Sequence, residues 1–228
     1  MQIISHRGAK GLALENSRDS FEYALRSKAE YVEFDIRQTA DDQLVVIHSP
    51  TARKVTGRKL VIRESSLKSL KSVKTKNGQS IMTLSEVVEQ IDKRMKFNIE
   101  LKSPGTGTLL APHLKEMLKH GYSYDDFFVS SFRVSVLREL RALNKDVRLA
   151  LLHRILPFTF LRVYRELGLW GVGFRFDLAW SWVIRAAKKR DLFTYVYFVN
   201  WPWQMPRLKR IGIDAVCTNH PDTMGTLR

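Results

Sequence analysis

Cysteine is almost absent from this chain: Cys217 is the single one in 228 residues, which excludes an internal disulfide and fits a reducing compartment. Acid is scarce too. Lys and Arg number 38 against 23 Asp and Glu, a formal net charge of +15, so the expected surroundings are polyanionic: nucleic acid, anionic lipid headgroups or a phosphorylated substrate. No run of about 18 apolar residues is present to span a bilayer. The opening MQIISHRG has no charged leader before an apolar core, so no signal peptide is expected and the reading is cytoplasmic, with peripheral membrane contact left open. Aromatics are missing from residues 51–80, where nine basic side chains between Arg53 and Lys76 meet one acid, Glu64. Single-stranded nucleic acid stacks on interleaved aromatics, so nucleic acid is not an expected partner. The sequence does not reveal an oligomeric state.

What is present is enough for a core. Hydrophobic residues make up 44% and aromatics 11% of the chain, a globular composition, and one α/β barrel suits the length as naturally as two domains. The stretch Glu30–Ser49 organises the rest. Tyr31, Glu33, Asp35 and Arg37 alternate with Val32, Phe34 and Ile36, the period of a strand with one polar face. A short polar turn follows, then Leu44-Val45-Val46-Ile47 ending at His48, and a connection this short joins antiparallel neighbours. If Asp41 and Asp42 are the central turn residues, the register sets Gln38 against Val45 and Asp35 opposite His48.

Further strands are expected at 2–5, 96–102, 127–131, 147–152, 171–176, 193–199 and 214–218. Helical patterns lie near 18–28, 108–120, 134–143, 157–167, 179–190 and 203–211. Thr83-Leu84-Ser85-Glu86 reads as a capping box opening another helix, and Gly121, Gly168 and Gly212 stand at helix stops. Setting aside the return strand 44–48, the count is eight strands separated by crossovers. That pattern predicts a (β/α)8 barrel, a single domain over 1–228 with an extra antiparallel hairpin strand and a basic insertion of loop and short helix at 49–80. An open doubly wound sheet is the runner-up.

In such a barrel the chemistry sits at the C-terminal strand ends. His6 and Arg7 end the first strand, Glu33 and Asp35 lie on the second, and Glu100 and Lys102 end the third. Three carboxylates thus converge with His6, His48, Arg7 and Lys102. Unpaired buried charge is costly, so the cluster needs a divalent ion, a charged substrate or full ion pairing.

The motifs His6-Arg7-Gly8, Glu15-Asn16, Glu33-Phe34-Asp35, Thr39-Ala40-Asp41, Val45-Val46-Ile47-His48, Asn98-Ile99-Glu100-Leu101-Lys102, Ser130-Ser131-Phe132 and the closing run from Gly212 to Pro221 together resemble the glycerophosphodiester phosphodiesterase family. The resemblance implies a barrel enzyme that hydrolyses glycerophosphodiesters to glycerol phosphate and an alcohol with Mg²⁺ or Ca²⁺. It implies that Glu33, Asp35 and Glu100 hold the metal, that His6 and His48 are the acid/base pair, and that Arg7 and Lys102 bind phosphate. Glu15 either caps the following helix or reaches the site. The sequence departs from the family's usual pattern at Leu14, Asp42, Ser49, Tyr197 and Asn219, where the family usually has Pro, Gly, Asp, Trp and Asp. Tyr197 bears on substrate fit and Asn219 on a loop anchor. Two alternatives stand beside this reading: cleavage of acylated diesters by the same chemistry, and a non-catalytic basic module binding anionic lipid or nucleic acid.

The remaining candidates read as structural. His113, His120 and His153 fall outside any motif, Cys217 lies on a buried strand, and Gly105-x-Gly107 lacks the G-K-[ST] of a phosphate loop. His220 is at a mouth position. Phe158 and Phe160, with Trp201-Pro202-Trp203, are expected to form an apolar rim suited to an anionic membrane or a lipid-bearing diester.

Overall fold

The architecture follows from period-2 stretches separated by capped helices. A computed structural model describes residues 1–226. In chain order the elements are β1 (Gln2–Ser5), α1 (Arg18–Arg26), β2 (Tyr31–Gln38), β3 (Leu44–Val46), α2 (Arg53–Thr56), α3 (Leu67–Ser72), α4 (Leu84–Ile91), β4 (Lys96–Leu101) and α5 (Thr106–Lys119). There follow β5 (Phe127–Ser131), α6 (Val134–Leu143), β6 (Leu149–His153), α7 (Phe160–Val163), β7 (Leu169–Arg175), α8 (Ser181–Lys188), β8 (Phe193–Tyr197), α9 (Met205–Arg210), β9 (Ala215–Thr218) and α10 (Pro221–Met224).

Eight strands pair in parallel in the order β1-β9-β8-β7-β6-β5-β4-β2, and β1 pairs with β2 to close a (β/α)8 barrel. The extra strand β3 lies antiparallel on β2, outside the ring. Val32, Phe34 and Ile36 face outward into the layer between sheet and helices, where Phe21, Leu84 and Val87 also pack. Inside the barrel the lower half is aromatic: Phe128 meets Tyr31 at 5.4 Å, Trp170 at 5.1 Å and Tyr195 at 5.7 Å between ring centroids. This dry floor leaves the polar half of the interior at the C-terminal mouth.

The placing of β3 matters for the site. β1 pairs with β2 only at Tyr31 and Val32, which leaves the upper edge of β2 free, and β3 takes that edge at Ile36, Arg37 and Gln38. Running downward, β3 brings the chain back toward the end of β1. The Gly8 N–H donates to the Glu33 carbonyl (3.2 Å) and the Ile47 N–H to the Asp35 carbonyl (2.9 Å), so both incoming segments meet on one short part of β2.

The hairpin register differs from the sequence expectation by one residue. Gln38 pairs with Leu44 and Arg37 with Val45, because the loop has three residues rather than two. Thr39 N–H donates to Gln43 O (2.9 Å) and Asp42 takes a left-handed φ of 56°, the geometry of a turn followed by one residue at positive φ. Asp35 therefore faces Ile47 rather than His48. The expected helix 157–167 is also shorter. Only Phe160–Val163 is α-helical, since no side chain caps its start and the flanking bonds, Leu161 N–H to Phe158 O and Arg162 N–H to Thr159 O, are of the tighter i to i+3 kind. The basic segment has more order than loop alone: Val55, Ile62 and Leu70 pack with Val45 and Ile47 in a separate apolar cluster behind the hairpin.

Candidate active site

His6 and Arg7 leave β1 in a tight turn that depends on Gly8. Its φ is +71°, and a Cβ there would lie 2.3 Å from Ser20 Oγ, so only glycine fits. Arg7 itself sits at φ 51°, a costly conformation for a residue with a side chain. Its backbone N–H donates to Glu33 Oε2 (2.8 Å). Its guanidinium lies 3.1 Å from Glu15 Oε2 through Nη1 and 3.1 Å from Asp35 Oδ2 through Nε. Glu15 does not cap α1; Ser17 does. It reaches the site margin instead, where Lys54 of the basic segment donates to the same oxygen at 2.6 Å.

Glu33 and Asp35 point inward from β2 and Glu100 from β4, with Asp35 and Glu100 paired in register. One ligand atom from each of the three lies within 4.8 Å of the others. Lys102 Nζ stands 2.6 Å from Glu100 Oε1 and 3.2 Å from Asp35 Oδ1, and Asn16 Nδ2 donates to Asp35 Oδ2 (3.0 Å). Glu33 Oε1 is buried with no hydrogen-bond donor, and Asp35 Oδ1 is buried with only the Lys102 ion pair beside it. Such oxygens are what a hard divalent cation takes, and three carboxylates against two cations leave one negative charge over, so the donor set fits one such ion.

The electrostatics follow from crowding. Burial, then the charges of Asp35 and Glu100, push the Glu33 carboxyl well above its usual range. Burial also raises Glu100, with Asp35 adding to it against the pull of Lys102. Burial works the same way on Asp35, but Lys102, Arg7 and His48 outweigh it and hold this carboxylate low. Like charges this close cannot all ionise without a counter-ion.

His6 and His48 both line one cavity of about 510 Å³, which Arg7, Glu33, Glu100 and Lys102 also line. His6 donates from Nδ1 to Asn219 Oδ1, leaving Nε2 as the free lone pair, 3.9 Å from Glu33 Oε2. Phe198 covers its ring at a centroid distance of 3.9 Å. Burial and then Arg7 keep His6 well below its ordinary pKa. Burial, with Lys102 and Arg7 adding, brings half-buried His48 down to about 4. Arg37 grips the His48 carbonyl through Nε (2.9 Å) and Nη2 (2.7 Å). Both rings are therefore neutral proton acceptors near neutral pH.

Tyr197 also lines the cavity, but its hydroxyl is committed to the His153 carbonyl (2.6 Å), so only its ring is offered to a ligand. Sequence reasoning missed several lining residues: Asn98, Phe132, Arg154, Arg175, Phe176 and Phe198. Arg154 and Arg175 stand at the ends of β6 and β7, so the strand-end rule that found Lys102 was available for them. The position of Phe198 over His6 had no sequence signal. His113 and His120 lie in a separate depression between α4 and α5, and His220 does not line the cavity. Cys217 does, though it is buried and burial pushes its thiol well up.

Comparison with known proteins gives the family and the fold. The model described as "Glycerophosphoryl diester phosphodiesterase family" matches residues 6–223. A glycerophosphodiester phosphodiesterase of Bacillus altitudinis is 29% identical, covering 100% of this chain and 98% of its own. One from Caldanaerobacter subterraneus subsp. tengcongensis is 27% identical, covering 97% of this chain and 95% of its own. An Oleispira antarctica phosphodiesterase, solved in complex with the product sn-glycerol-3-phosphate, shares the fold with a TM-score of 0.90 at 24% identity, covering 100% of this chain and 96% of that one.

Proposed function

The chain belongs to the glycerophosphoryl diester phosphodiesterase family, and on that premise we propose that it hydrolyses glycerophosphodiesters to glycerol 3-phosphate and an alcohol. One divalent cation, Mg²⁺ or Ca²⁺, is held by Glu33, Asp35 and Glu100. The observation that carries this reading is the meeting of three buried carboxylates, one of them with an orphaned oxygen, beside a cavity that two histidines line.

When bound, such an ion stabilises negative charge building on phosphoryl oxygens. Arg7 and Lys102 add fixed positive charge where a diester's non-bridging oxygens would lie, and the aromatic floor strengthens their effect by keeping water out. By family likeness the attacking group is the substrate's own glycerol 2-hydroxyl, and water then opens the cyclic phosphate. One histidine takes the hydroxyl proton while the other protonates the departing alkoxide, each contributing roughly 10²–10⁴-fold. The negative diester favours the imidazolium form of the ring that gives its proton.

A second reading, cleavage of acylated diesters, is favoured by Ile155 and Leu156, which are exposed on a neighbouring cavity that shares Phe132 and Arg154 with the first.

Incubation of the purified chain with glycerophosphocholine, glycerophosphoethanolamine or a lysophospholipid, with Mg²⁺, Ca²⁺ or EDTA, tests both readings. Glycerol phosphate, or its acylated form, is expected only with metal and not from His6→Ala. No product from any diester with either metal would sink the proposal.

A further inference from the structure

Trp180, Trp182, Trp201 and Trp203 all stand exposed beyond the C-terminal ends of β7 and β8, on the face where the cavity opens. Ile155, Leu156 and Phe158 continue the same rim after β6, with Ile155 75% exposed and Trp203 68%. Single exposed hydrophobes are ordinary, but a contiguous set marks an interaction surface. Part of this set is contiguous: Phe158 stacks on Trp182 at 6.1 Å, and Trp182 lies 6.0 Å from Trp180 between ring centroids.

The rim is tied to the wall of the cavity. Trp180 Nε1 donates to the Asp177 carbonyl (3.0 Å), and Trp203 meets Phe176 edge-on at 6.0 Å. Asp177 and Phe176 both line the cavity. The indoles are thereby held out in water by short, local anchors.

Arginines flank them. A groove of about 470 Å³ between α8 and α9 is lined by Ser181, Arg185, Arg207, Arg210 and Ile211, with no carboxylate. Arg207 is fixed by the Ala179 carbonyl (2.9 Å) and lies 5.1 Å over the Phe176 ring. Arg185 and Arg210 form no ion pair among the described residues. Arg133 and Arg154 line the neighbouring cavity together with Ile155 and Leu156.

We infer that this face, carrying Trp180, Trp182 and Trp203 with Arg185 and Arg210, docks on an anionic phospholipid bilayer. Indoles, apolar in the ring and polar at the N–H, settle at headgroup depth, and the unpaired arginines then meet lipid phosphates. Charge argues for this occupant over a second copy of the chain, since each copy carries a formal +15 and would bring arginine against arginine. Docked in this way, the cavity opens directly onto the lipid surface. The inference goes beyond the catalytic reading, and binding is measured without turnover, so the two can fail separately.

The test is sedimentation of the full chain with vesicles of phosphatidylcholine alone and of phosphatidylcholine mixed with phosphatidylglycerol, at low and high salt. Trp182→Ser with Trp203→Ser, Arg185→Gln with Arg210→Gln, and Lys59→Gln with Arg63→Gln in the basic segment are run alongside. Binding is expected to the anionic vesicles at low salt, to weaken with salt, and to drop about tenfold or more in the Trp pair and the Arg pair. The basic-segment pair is expected to retain most of it. Circular dichroism and turnover of a water-soluble diester are expected to be unchanged in the Trp pair, which separates lost docking from lost folding.

Several outcomes overturn the inference. One is no sedimentation with anionic vesicles at low salt. Another is binding that survives the Trp and Arg changes but is lost in the basic-segment pair, and a third is equal binding to neutral vesicles. A concentration-dependent dimer that the Trp pair abolishes, without vesicle binding, would assign the face to a second copy instead.

Discussion

His6 and Asn219 stand 213 positions apart in the chain, and their side chains meet where β9 closes on β1. The amide oxygen only accepts, so it fixes the ring proton on Nδ1 and turns Nε2 toward the cavity. Asn219→Ala should leave folding intact and lower kcat about tenfold or more, short of the roughly 10²–10⁴-fold lost in His6→Ala. Asn219→Asp should hold the ring equally well and raise its basicity, moving the acid limb of the kcat/KM profile to higher pH. An unchanged profile in both variants would show that Asn219 does not orient the ring.

Glu33 is the carboxyl that burial and its acidic neighbours drive toward the protonated form. Glu33→Gln resembles that form, so it should cost the ligand-free chain little stability while removing a metal ligand. Divalent ion at a hundredfold excess over Kd should stabilise the wild type by about 2.7 kcal/mol, seen as a higher melting temperature, and should barely move the variant. Equal shifts in both proteins would argue against Glu33 as a ligand.

Asp35 is fully buried and balances Arg7 and Lys102 together. Asp35→Asn leaves those cations with Glu15 and Glu100 alone, so it should destabilise the fold by about 3 kcal/mol, the lower end for breaking a buried pair. Denaturant unfolding of the two proteins at neutral pH checks this. Stability equal to wild type would mean that Asp35 is dispensable as a counter-charge.

His153 offers a cleaner pH signal than the proposed acid/base pair because no carboxylate is among the groups that shift it. Burial lowers it from 6.5 to about 4, and its Nε2 has no partner. The unfolded chain takes up the proton first as pH falls, so stability is full above 6.5 and is lost toward 4. At pH 5 the loss is about 2 kcal/mol. His153→Phe keeps the stack on Phe174 and should lack this component, read as the difference between two unfolding profiles at about pH 7.5 and about pH 5. Parallel profiles would contradict the assignment.

Much of this was legible without coordinates because it is local. The alternation in β2 set Glu33 and Asp35 on one face, and the strand-end positions of His6, Glu100 and Lys102 brought them to one mouth. Thr83 and Glu86 form the capping box that their spacing announces. The seven crossovers between eight strands, with a single antiparallel return, pointed to the barrel, since a short polar turn cannot join parallel strands.

Where the outcome depended on backbone detail or on distant residues, sequence alone did not reach it. The hairpin slipped by one residue because Asp42 accepts a left-handed φ, a choice that two adjacent aspartates do not announce. Glu15 was open between a cap and the site until its distance to Arg7 decided it.

Periodicity and strand-end position thus put His6, Arg7, Glu33, Glu100 and Lys102 at the mouth, since side-chain direction in a strand is set by position within it. The partners of His6 were decided by barrel closure. Asn219 on its ring nitrogen and Phe198 over the same ring join elements brought together only when the last strands complete the ring. Contacts of that kind depend on distances across the folded molecule, which no linear pattern encodes.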